Sequence, residues 1–182
     1  MSYSSGTINT VLNDLATFTV QISVGDSFTL CDVDVEVDMT HEYTGDLDIE
    51  VRHPDSTSVK LMHVDCGNDA DFHARFDDSS STTIDGAVAS DSVCASNSGS
   101  TYVRPQGTLS SFNGKNSQGT WTLYCRNRSC LTKGSHPISI VQLDLSGVIL
   151  ALLVKTAASA VSSRAAAFVD QICLNEPGPP LL

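Results

Sequence analysis

The sequence predicts an all-β domain built from two packed sheets, and two observations lead to this prediction. The first is the alternation of apolar and acidic residues over 31–38, where Val33, Val35 and Val37 fall on one face of a strand. The second is the way short candidate strands are separated by turn residues, as in the His-Pro-Asp-Ser stretch at 53–56. Such a succession is typical of a β-sandwich or jelly roll.

Six segments carry the strand pattern. In chain order they are residues 18–24, 31–38, 47–51, 59–64, 121–125 and 138–145. Between the second and third, Thr44-Gly45-Asp46 predicts a tight turn in which Gly45 supplies an unusual φ and Asp46 accepts backbone N–H bonds. Trp121 lies on an alternating strand and is predicted to anchor the core between the two sheets.

Composition divides the chain into regions. Residues 77–107 are rich in Ser, Thr, Asp, Gly and Asn, which predicts a long loop that is functional, ordered by metal, or mobile. Residues 1–147 are predicted to form the sandwich domain. Residues 148–182 turn apolar, then Ala/Ser-rich, then Pro-rich, which predicts a helical or disordered tail. Lys155 and Arg164 interrupt this tail, so it does not read as a membrane span.

The net charge excludes some classes of partner. The chain carries 21 acidic and 10 basic residues, for a formal charge of −11. Such a surface repels phosphate backbones and anionic lipid headgroups, which argues against nucleic-acid binding and electrostatic membrane association. The same excess of carboxylates suits hard cations that take oxygen ligands.

The cysteine count favours disulfide bonds and an oxidising compartment. The six cysteines are Cys31, Cys66, Cys94, Cys125, Cys130 and Cys173. Six cysteines allow fifteen pairings, of which Cys125–Cys130 and Cys66–Cys94 are two reasonable local ones. The alternative is a set of reduced, buried cysteines in a cytosolic protein. The first ten residues lack the features of a signal peptide, so a secretory leader would belong to a longer precursor.

Two long segments carry a resemblance to a known family. The first is 33–54, which contains an alternating strand, the run His41-Glu-Tyr43-Thr-Gly45-Asp46-Leu47, and a second strand ending at His-Pro54. The second is 104–123, which contains Arg-Pro, Leu-Ser-Ser-Phe-Asn-Gly and Gly-Thr-Trp-Thr-Leu. Phe76-Asp77-Asp78 lies between them. Over residues 8–147 this order resembles the P (Homo B) domain of subtilisin-like proprotein convertases, the kexin and furin family and its bacterial relatives.

The resemblance implies both a fold and a function. The implied fold is a β-sandwich jelly roll of the galactose-binding-domain-like type. The implied function is that of a non-catalytic accessory domain of a secreted subtilisin-like serine endopeptidase. Such a domain packs against the catalytic domain and supports its folding, stability and response to pH or calcium. The alternative is a free-standing extracellular module that binds carbohydrate or protein in a calcium-dependent way.

The chain is not expected to be an enzyme. A subtilisin-like catalytic unit needs roughly twice this length to carry its Asp, His and Ser segments, and a Gly-x-Ser-x-Gly elbow is missing. The histidines that could join a chance triad are His41, His53, His63, His73 and His136. His41 is expected instead to be a turn residue bonded to its neighbours.

Carboxylates near strand ends predict a calcium site. The candidate ligands are Asp34, Asp46, Asp77 and Asp78, with Asp71 as a further possibility. The alternative is a solvated acidic surface. Zinc held by His63, Cys66 and His73 is a weaker possibility, because their spacing matches no standard site.

The sequence also contains a candidate glycosylation site. Asn127-Arg128-Ser129 is an N-glycosylation sequon, and it is expected to lie on a loop. It has meaning only in a eukaryotic secretory setting.

Overall fold

The computed structural model is a β-sandwich of two sheets, and it confirms the predicted all-β class. It describes residues 1–6, 8, 10–12, 15–39, 41, 44–63, 72–82, 101–128 and 136–148. The strands are β1 (Ser2–Ser4), β2 (Thr10–Leu12), β3 (Thr17–Val24), β4 (Thr29–Met39), β5 (Leu47–Arg52), β6 (Ser58–His63), β7 (Phe72–Phe76), β8 (Thr101–Val103), β9 (Gly119–Asn127) and β10 (His136–Val148). Two short 3-10 helices, Thr44–Asp46 and Leu109–Phe112, complete these ranges. Neither is a helix that could cross a membrane.

The strands form a six-stranded and a four-stranded sheet. The larger sheet has the order β1-β10-β4-β7-β8, with β2 pairing with another part of β10. Its strands are antiparallel except for β7 and β8, which run parallel. The smaller sheet has the order β3-β9-β5-β6 and is antiparallel throughout. The finer jelly-roll connectivity stays a prediction.

The core lies between the two sheets and is filled by the inward faces of alternating strands. The valines at 33, 35 and 37 of β4 are all buried, as their spacing predicts. Trp121 is only 1% exposed, which confirms its predicted place in the core. Its indole N–H donates to the carbonyl of Ser117 at 3.0 Å. Its ring packs edge-on against those of Phe112 and His53, with centroids 5.1 and 4.8 Å away.

The predicted strands are present, but the predicted loop is shorter than expected. β8 falls inside the stretch 77–107 that composition assigned to a loop, so that part of the prediction is wrong. A single buried apolar residue, Val103, anchors this three-residue strand beside Phe76 of β7. Such a short strand leaves little pattern in a polar sequence. Residues 83–100 lie outside the described residues.

The turn at Gly45 has a different basis from the predicted one. Gly45 lies inside the 3-10 helix Thr44–Asp46, where φ is negative, so its unusual φ was predicted wrongly. The residues that take a positive φ include Gly114 (80°) and Gly119 (133°). At Gly119 a Cβ would come within 2.7 Å of the Pro54 ring, so this position also requires a small residue.

The predicted placement of the sequon is also wrong. Asn127 of the sequon is the last residue of β9 and is fully buried, so it does not lie on a loop. The Nε2 of His41 lies 3.3 Å from Asn127 Nδ2, 86 residues along the chain. The prediction that His41 is bonded to its neighbours in a turn falls on residues 40, 42 and 43, which lie outside the described residues. The buried pair joins the end of β4 to the end of β9.

The predicted disulfide bonds are only partly tested by the described cysteines, Cys31 and Cys125. Cys125 is a free thiol inside the core, so the pairing with Cys130 is not formed. Burial raises the pKa of this thiol to about 12. Cys31 is disulfide-bonded, and its partner is not among the described cysteines. The predicted Cys66–Cys94 pairing and the tail beyond Val148 lie outside the described residues, so both stay predictions.

Candidate functional site

An acidic outer face covers the six-stranded sheet. It consists of Asp32, Asp34, Glu36 and Asp38 of β4 and Asp144 of β10. Asp34 and Asp144 are register partners on adjacent strands, where like charges repel. The guanidinium of Arg75 on β7 offsets this repulsion, because it lies 2.8 Å from Asp34 and 2.5 Å from Asp144. The only other described side chain of β7 on this face, His73, lies 2.9 Å from Glu36.

A cavity of about 240 Å³ opens on this acidic face. Its lining residues are Met1, Ser2, Asp32, Asp34, Arg75, Asp144 and Leu145. Burial raises the pKa of Asp34 to about 6; the hydrogen bond from Arg75 lowers it, and the charges of Asp32 and Asp77 raise it further. The pKa of Asp32 is also raised, first by burial and then by the charge of Asp77. Asp34 Oδ1 and Arg75 Nε are buried without a hydrogen-bond partner.

Asp77 and Asp78 have structural roles in the loop that follows β7. Asp77 is only 5% exposed, and its Oδ1 accepts the backbone N–H of Ser79 at 2.6 Å. Asp78 uses both carboxylate oxygens, which accept the N–H groups of Leu109 at 2.9 Å and Ser110 at 2.8 Å. These are the first amides of the 3-10 helix Leu109–Phe112, where free N–H groups favour an anionic partner.

The predicted metal ligands come from three different parts of the described structure: β4, the 3-10 helix Thr44–Asp46 and the loop after β7. Asp46 lies in the 3-10 helix before β5, and its carbonyl accepts the N–H of Arg128 at 2.8 Å. Asp34 is paired with Arg75, and Asp78 holds backbone amides. Within the described ranges no three acidic, histidine or cysteine side chains are placed to hold a metal ion. Calcium binding at the four predicted carboxylates stays a prediction.

The zinc hypothesis gains no support. His63 lies on β6 of the four-stranded sheet, whereas His73 lies on β7 of the six-stranded sheet. Each ring faces a carboxylate, since His63 Nδ1 lies 3.3 Å from Asp48 and His73 lies near Glu36. Asp71 and Cys66 lie outside the described residues.

A face richer in basic residues covers the four-stranded sheet. We call it the mixed face; its charged members are Asp48, Glu50, Arg52, Lys60, His63, Arg126 and Arg128. Asp48 is its central acid, with Arg128 Nη2 at 2.7 Å and Lys60 Nζ at 3.5 Å. Burial would raise the pKa of Asp48, but the hydrogen bond from Arg128 and the nearby positive charges lower it.

A hollow of about 280 Å³ lies on the mixed face beside β3. Its lining residues are Thr17, Asp48, Glu50, Arg52, Tyr124 and Arg126. Arg52 lies over the ring of Tyr124, 4.4 Å from its centroid, and donates to its hydroxyl at 2.9 Å. The mixed face as a whole carries four Arg or Lys side chains and two carboxylates, so its net charge is opposite in sign to that of the acidic face.

The ring of His53 is part of the packed core. His53 is buried against Trp121, and its Nε2 lies 2.9 Å from the carbonyl of Asn116. Its Nδ1 lies 3.1 Å from the backbone nitrogen of Asp55 and 2.9 Å from the carboxylate of the same residue. The side chain of His136 lies outside the described residues.

Sequence reasoning missed several residues of these faces. Arg75 and Asp144 form the centre of the acidic face, and Arg128 and Asp48 that of the mixed face. The alternation Phe-His-Ala-Arg-Phe over β7 would have placed Arg75 on an outward face. Its pairing with Asp144 depends on strand order, which the sequence does not reveal.

Comparison with known proteins identifies the family. The family model of the proprotein convertase P-domain matches residues 30–145, which is more than half of the chain. No curated protein matches the chain.

Solved structures with a similar fold include a serine protease of Aeromonas sobria, with a TM-score of 0.54 and 14% identity. The Aeromonas sobria serine protease solved with its chaperone gives a TM-score of 0.52 and 15% identity. In both comparisons the aligned region covers 81% of this chain but only 26% of the other. The fold is shared, and this chain spans about a quarter of the length of these proteases. The family match over residues 30–145 shows that this chain belongs to the proprotein convertase P-domain family.

Proposed function

We propose that the chain is a non-catalytic accessory domain of a secreted subtilisin-like serine endopeptidase. In this role it packs against a catalytic domain and supports the folding and stability of that domain. The observation that carries the proposal is the match to the proprotein convertase P-domain over residues 30–145. The similar fold within Aeromonas sobria serine proteases, of which this chain spans about a quarter, supports it.

The structural contributions of the residues in the family motifs support the same role. Trp121 and Phe112 fill the core, and Gly119 allows Pro54 to approach closely. Asp78 clamps the 3-10 helix that carries Phe112. All of these motif residues therefore serve packing or backbone geometry. A domain whose motifs build a rigid sandwich is suited to act as a folding partner.

The expected stabilisation of the catalytic domain follows from the thermodynamic linkage between binding and folding. A domain that binds only the folded catalytic unit shifts the unfolding equilibrium of that unit toward the native state. When the two domains share one chain, the effective concentration is high, so a modest interface is sufficient. The oppositely charged faces can orient the docking of a partner, because complementary potentials select the direction of approach.

We propose an extracellular or secretory-pathway location on the same basis. The disulfide bond at Cys31 supports an oxidising compartment. The buried Asn127 makes glycosylation of the folded domain at its sequon incompatible with this structure, so the sequon gives no support to the location.

Two measurements test the proposed role. The purified chain is expected to give no turnover of peptide or ester substrates; turnover that disappears on mutation of a single serine or histidine would contradict the proposal. The chain is expected to co-elute in size-exclusion chromatography with the subtilisin-like catalytic domain encoded by the same genome. Failure to associate, combined with glycan binding by the isolated chain, would favour a free-standing binding module.

A further inference from the structure

β3 is an open edge of the four-stranded sheet. Its eight residues pair with β9 in unbroken register from Thr17–Arg126 to Val24–Gly119, and no other strand within the described residues pairs with it. The opposite edge of the same sheet is covered, because Lys60 and Leu61 of β6 accept the N–H groups of Gly107 and Gln106 at 2.7 and 3.1 Å. In the part of the chain that the structure describes, residues 106–107 therefore cover the β6 edge of this sheet, whereas β3 has no pairing partner on its outer side.

The alternation of bonded and non-bonded residues along β3 identifies the backbone groups that point away from β9. The N–H of Asn127 donates to the carbonyl of Ala16 at 3.0 Å, next to the first pair of the β3–β9 ladder. Bonded and non-bonded pairs alternate in an antiparallel ladder, so residues 18, 20, 22 and 24 bond to β9. The outward N–H and C=O groups are those of Thr17, Thr19, Gln21 and Ser23. Within the described residues, none of these groups has a backbone or side-chain partner.

β3 lacks the features that usually protect an edge strand. Such edges are blunted by charged side chains, proline, bulges or short length. The sequence Thr-Phe-Thr-Val-Gln-Ile-Ser-Val contains no charged residue and no proline, and its register contains no bulge. Its four outward side chains are exposed neutral residues. An uncharged edge of this length, without a bulge, can accept an added strand.

The charge beside the edge indicates what kind of strand fits. Arg126 is the register partner of Thr17, and its Nε donates to Thr17 Oγ1 at 3.3 Å. Arg126 is exposed and forms no ion pair with any described residue. Arg126 and Thr17 line the hollow of the mixed face. An acidic side chain on a strand added beside Thr17 would reach this guanidinium. A second copy that adds its own β3 is a poor occupant, because β3 contains no acidic side chain to pair with Arg126.

We propose that the edge of β3 is a docking site for an extended, acidic segment of a partner polypeptide. The segment adds a fifth strand to the four-stranded sheet. Its backbone pairs with Thr17, Thr19, Gln21 and Ser23, and an acidic side chain pairs with Arg126. This inference goes beyond the proposed accessory role and does not depend on it.

The test uses a synthetic peptide and amide hydrogen exchange on the full chain. The probe is the capped peptide Thr-Glu-Val-Glu-Val-Glu-Thr, and the controls are the same peptide with Lys for Glu and with alternate amides N-methylated. The expected result is slower exchange at residues 17, 19, 21 and 23 with the Glu peptide. The Lys peptide binds more weakly, and the N-methylated peptide does not bind.

Substitutions separate backbone pairing from side-chain contact. Thr19→Pro and Gln21→Pro each remove an outward N–H without breaking the β9 ladder, so each is expected to abolish binding. Thr19→Val keeps the N–H and is expected to bind as the native chain does. Arg126→Ala is expected to weaken binding by about threefold. Melting curves identify any variant that fails to fold. If Thr19→Pro does not fold, Gln21→Pro is used to test the loss of an outward N–H.

Three results would overturn the proposal. The first is slow exchange of these four amides in the dilute chain without peptide, which would mean that the edge is already covered. The second is protection that grows with protein concentration alone, which would assign the edge to a second copy. The third is equal binding of the Glu and Lys peptides, which would remove the acidic preference.

Discussion

The carboxylate of Asp78 accepts the backbone N–H of Leu109 at 2.9 Å, across 31 residues of sequence. Its second oxygen accepts the N–H of Ser110 at 2.8 Å. This clamp fastens the end of β7 to the 3-10 helix that places Phe112 under Trp121. A residue that resembles a metal ligand in the sequence thus acts as a helix cap in the structure.

Replacement of Asp78 is therefore expected to destabilise the domain. Asp78→Ala leaves two amides without their acceptor and should lower the free energy of unfolding by about 1–2 kcal/mol. Asp78→Asn keeps one acceptor oxygen and should cost less. Denaturant unfolding measures both changes, with Ser79→Ala as the control because its side chain is exposed. If Asp78→Ala unfolds at the same midpoint as Ser79→Ala, the clamp contributes nothing to stability.

Trp121 is expected to be the most costly core residue to truncate. Trp121→Ala should lower the free energy of unfolding by about 3–5 kcal/mol, because it loses buried apolar contact and leaves a cavity. Trp121→Phe should cost less, while leaving the Ser117 carbonyl without its donor. Thermal melting provides the measurement, and Thr122→Ala on the same strand is the control. An unchanged melting temperature for Trp121→Ala would show that the core does not depend on the indole.

The raised pKa of Asp34 predicts how stability depends on pH. In the folded state this pKa is about 6, above its ordinary value of 3.8, so between these values the folded state binds more protons than the unfolded state. The contribution of Asp34 to the free energy of unfolding should therefore be greatest below about pH 4. It should fall as the pH rises to about 6. The expected loss from this group is roughly 1–3 kcal/mol.

Asp34→Asn provides the measurement for this pH dependence. The substitution removes the titrating group while keeping an oxygen that can accept from Arg75. The decline in unfolding free energy between pH 4 and 6 should become shallower in Asp34→Asn and remain in the control Asp38→Asn. Equal slopes in Asp34→Asn and the native chain would contradict the assignment to Asp34.

Calcium stabilisation is a prediction that rests on the acidic excess. Binding to the folded state alone should raise stability by roughly 2.7 kcal/mol at a hundredfold excess over Kd. Millimolar calcium should then raise the melting temperature, and Asp46→Asn or Asp77→Asn should reduce that rise. Calcium takes about six to eight oxygen ligands, so backbone carbonyls and water must complete any site. Superimposable melting curves in calcium and in chelator would leave the carboxylates as a solvated surface.

Much of the fold could be predicted because local patterns record it. The alternation in β4 follows from one buried and one exposed sheet face, and the burial of Val33, Val35 and Val37 repeats it. The burial of Trp121 follows from its size and its place in an alternating strand. These features depend on nearest neighbours along the chain.

The polar contacts could not be predicted, because they join distant parts of the chain. Asp78 reaches Leu109 across 31 residues, and Asn127 contacts His41 across 86. Arg75 meets Asp144 only because β10 and β7 both flank β4. A carboxylate in a turn has the same local appearance whether it holds a metal ion, a guanidinium or a helix amide.

The most direct test of the accessory role measures the lifetime of a protease. The subtilisin-like catalytic domain encoded by the same genome is produced alone, with this chain, and with the Trp121→Ala variant. Loss of activity at raised temperature is then followed over time. If the chain is the accessory domain, the native form prolongs the half-life of activity and the destabilised variant does so less. An identical half-life in all three samples, with no complex formed, would contradict the central claim.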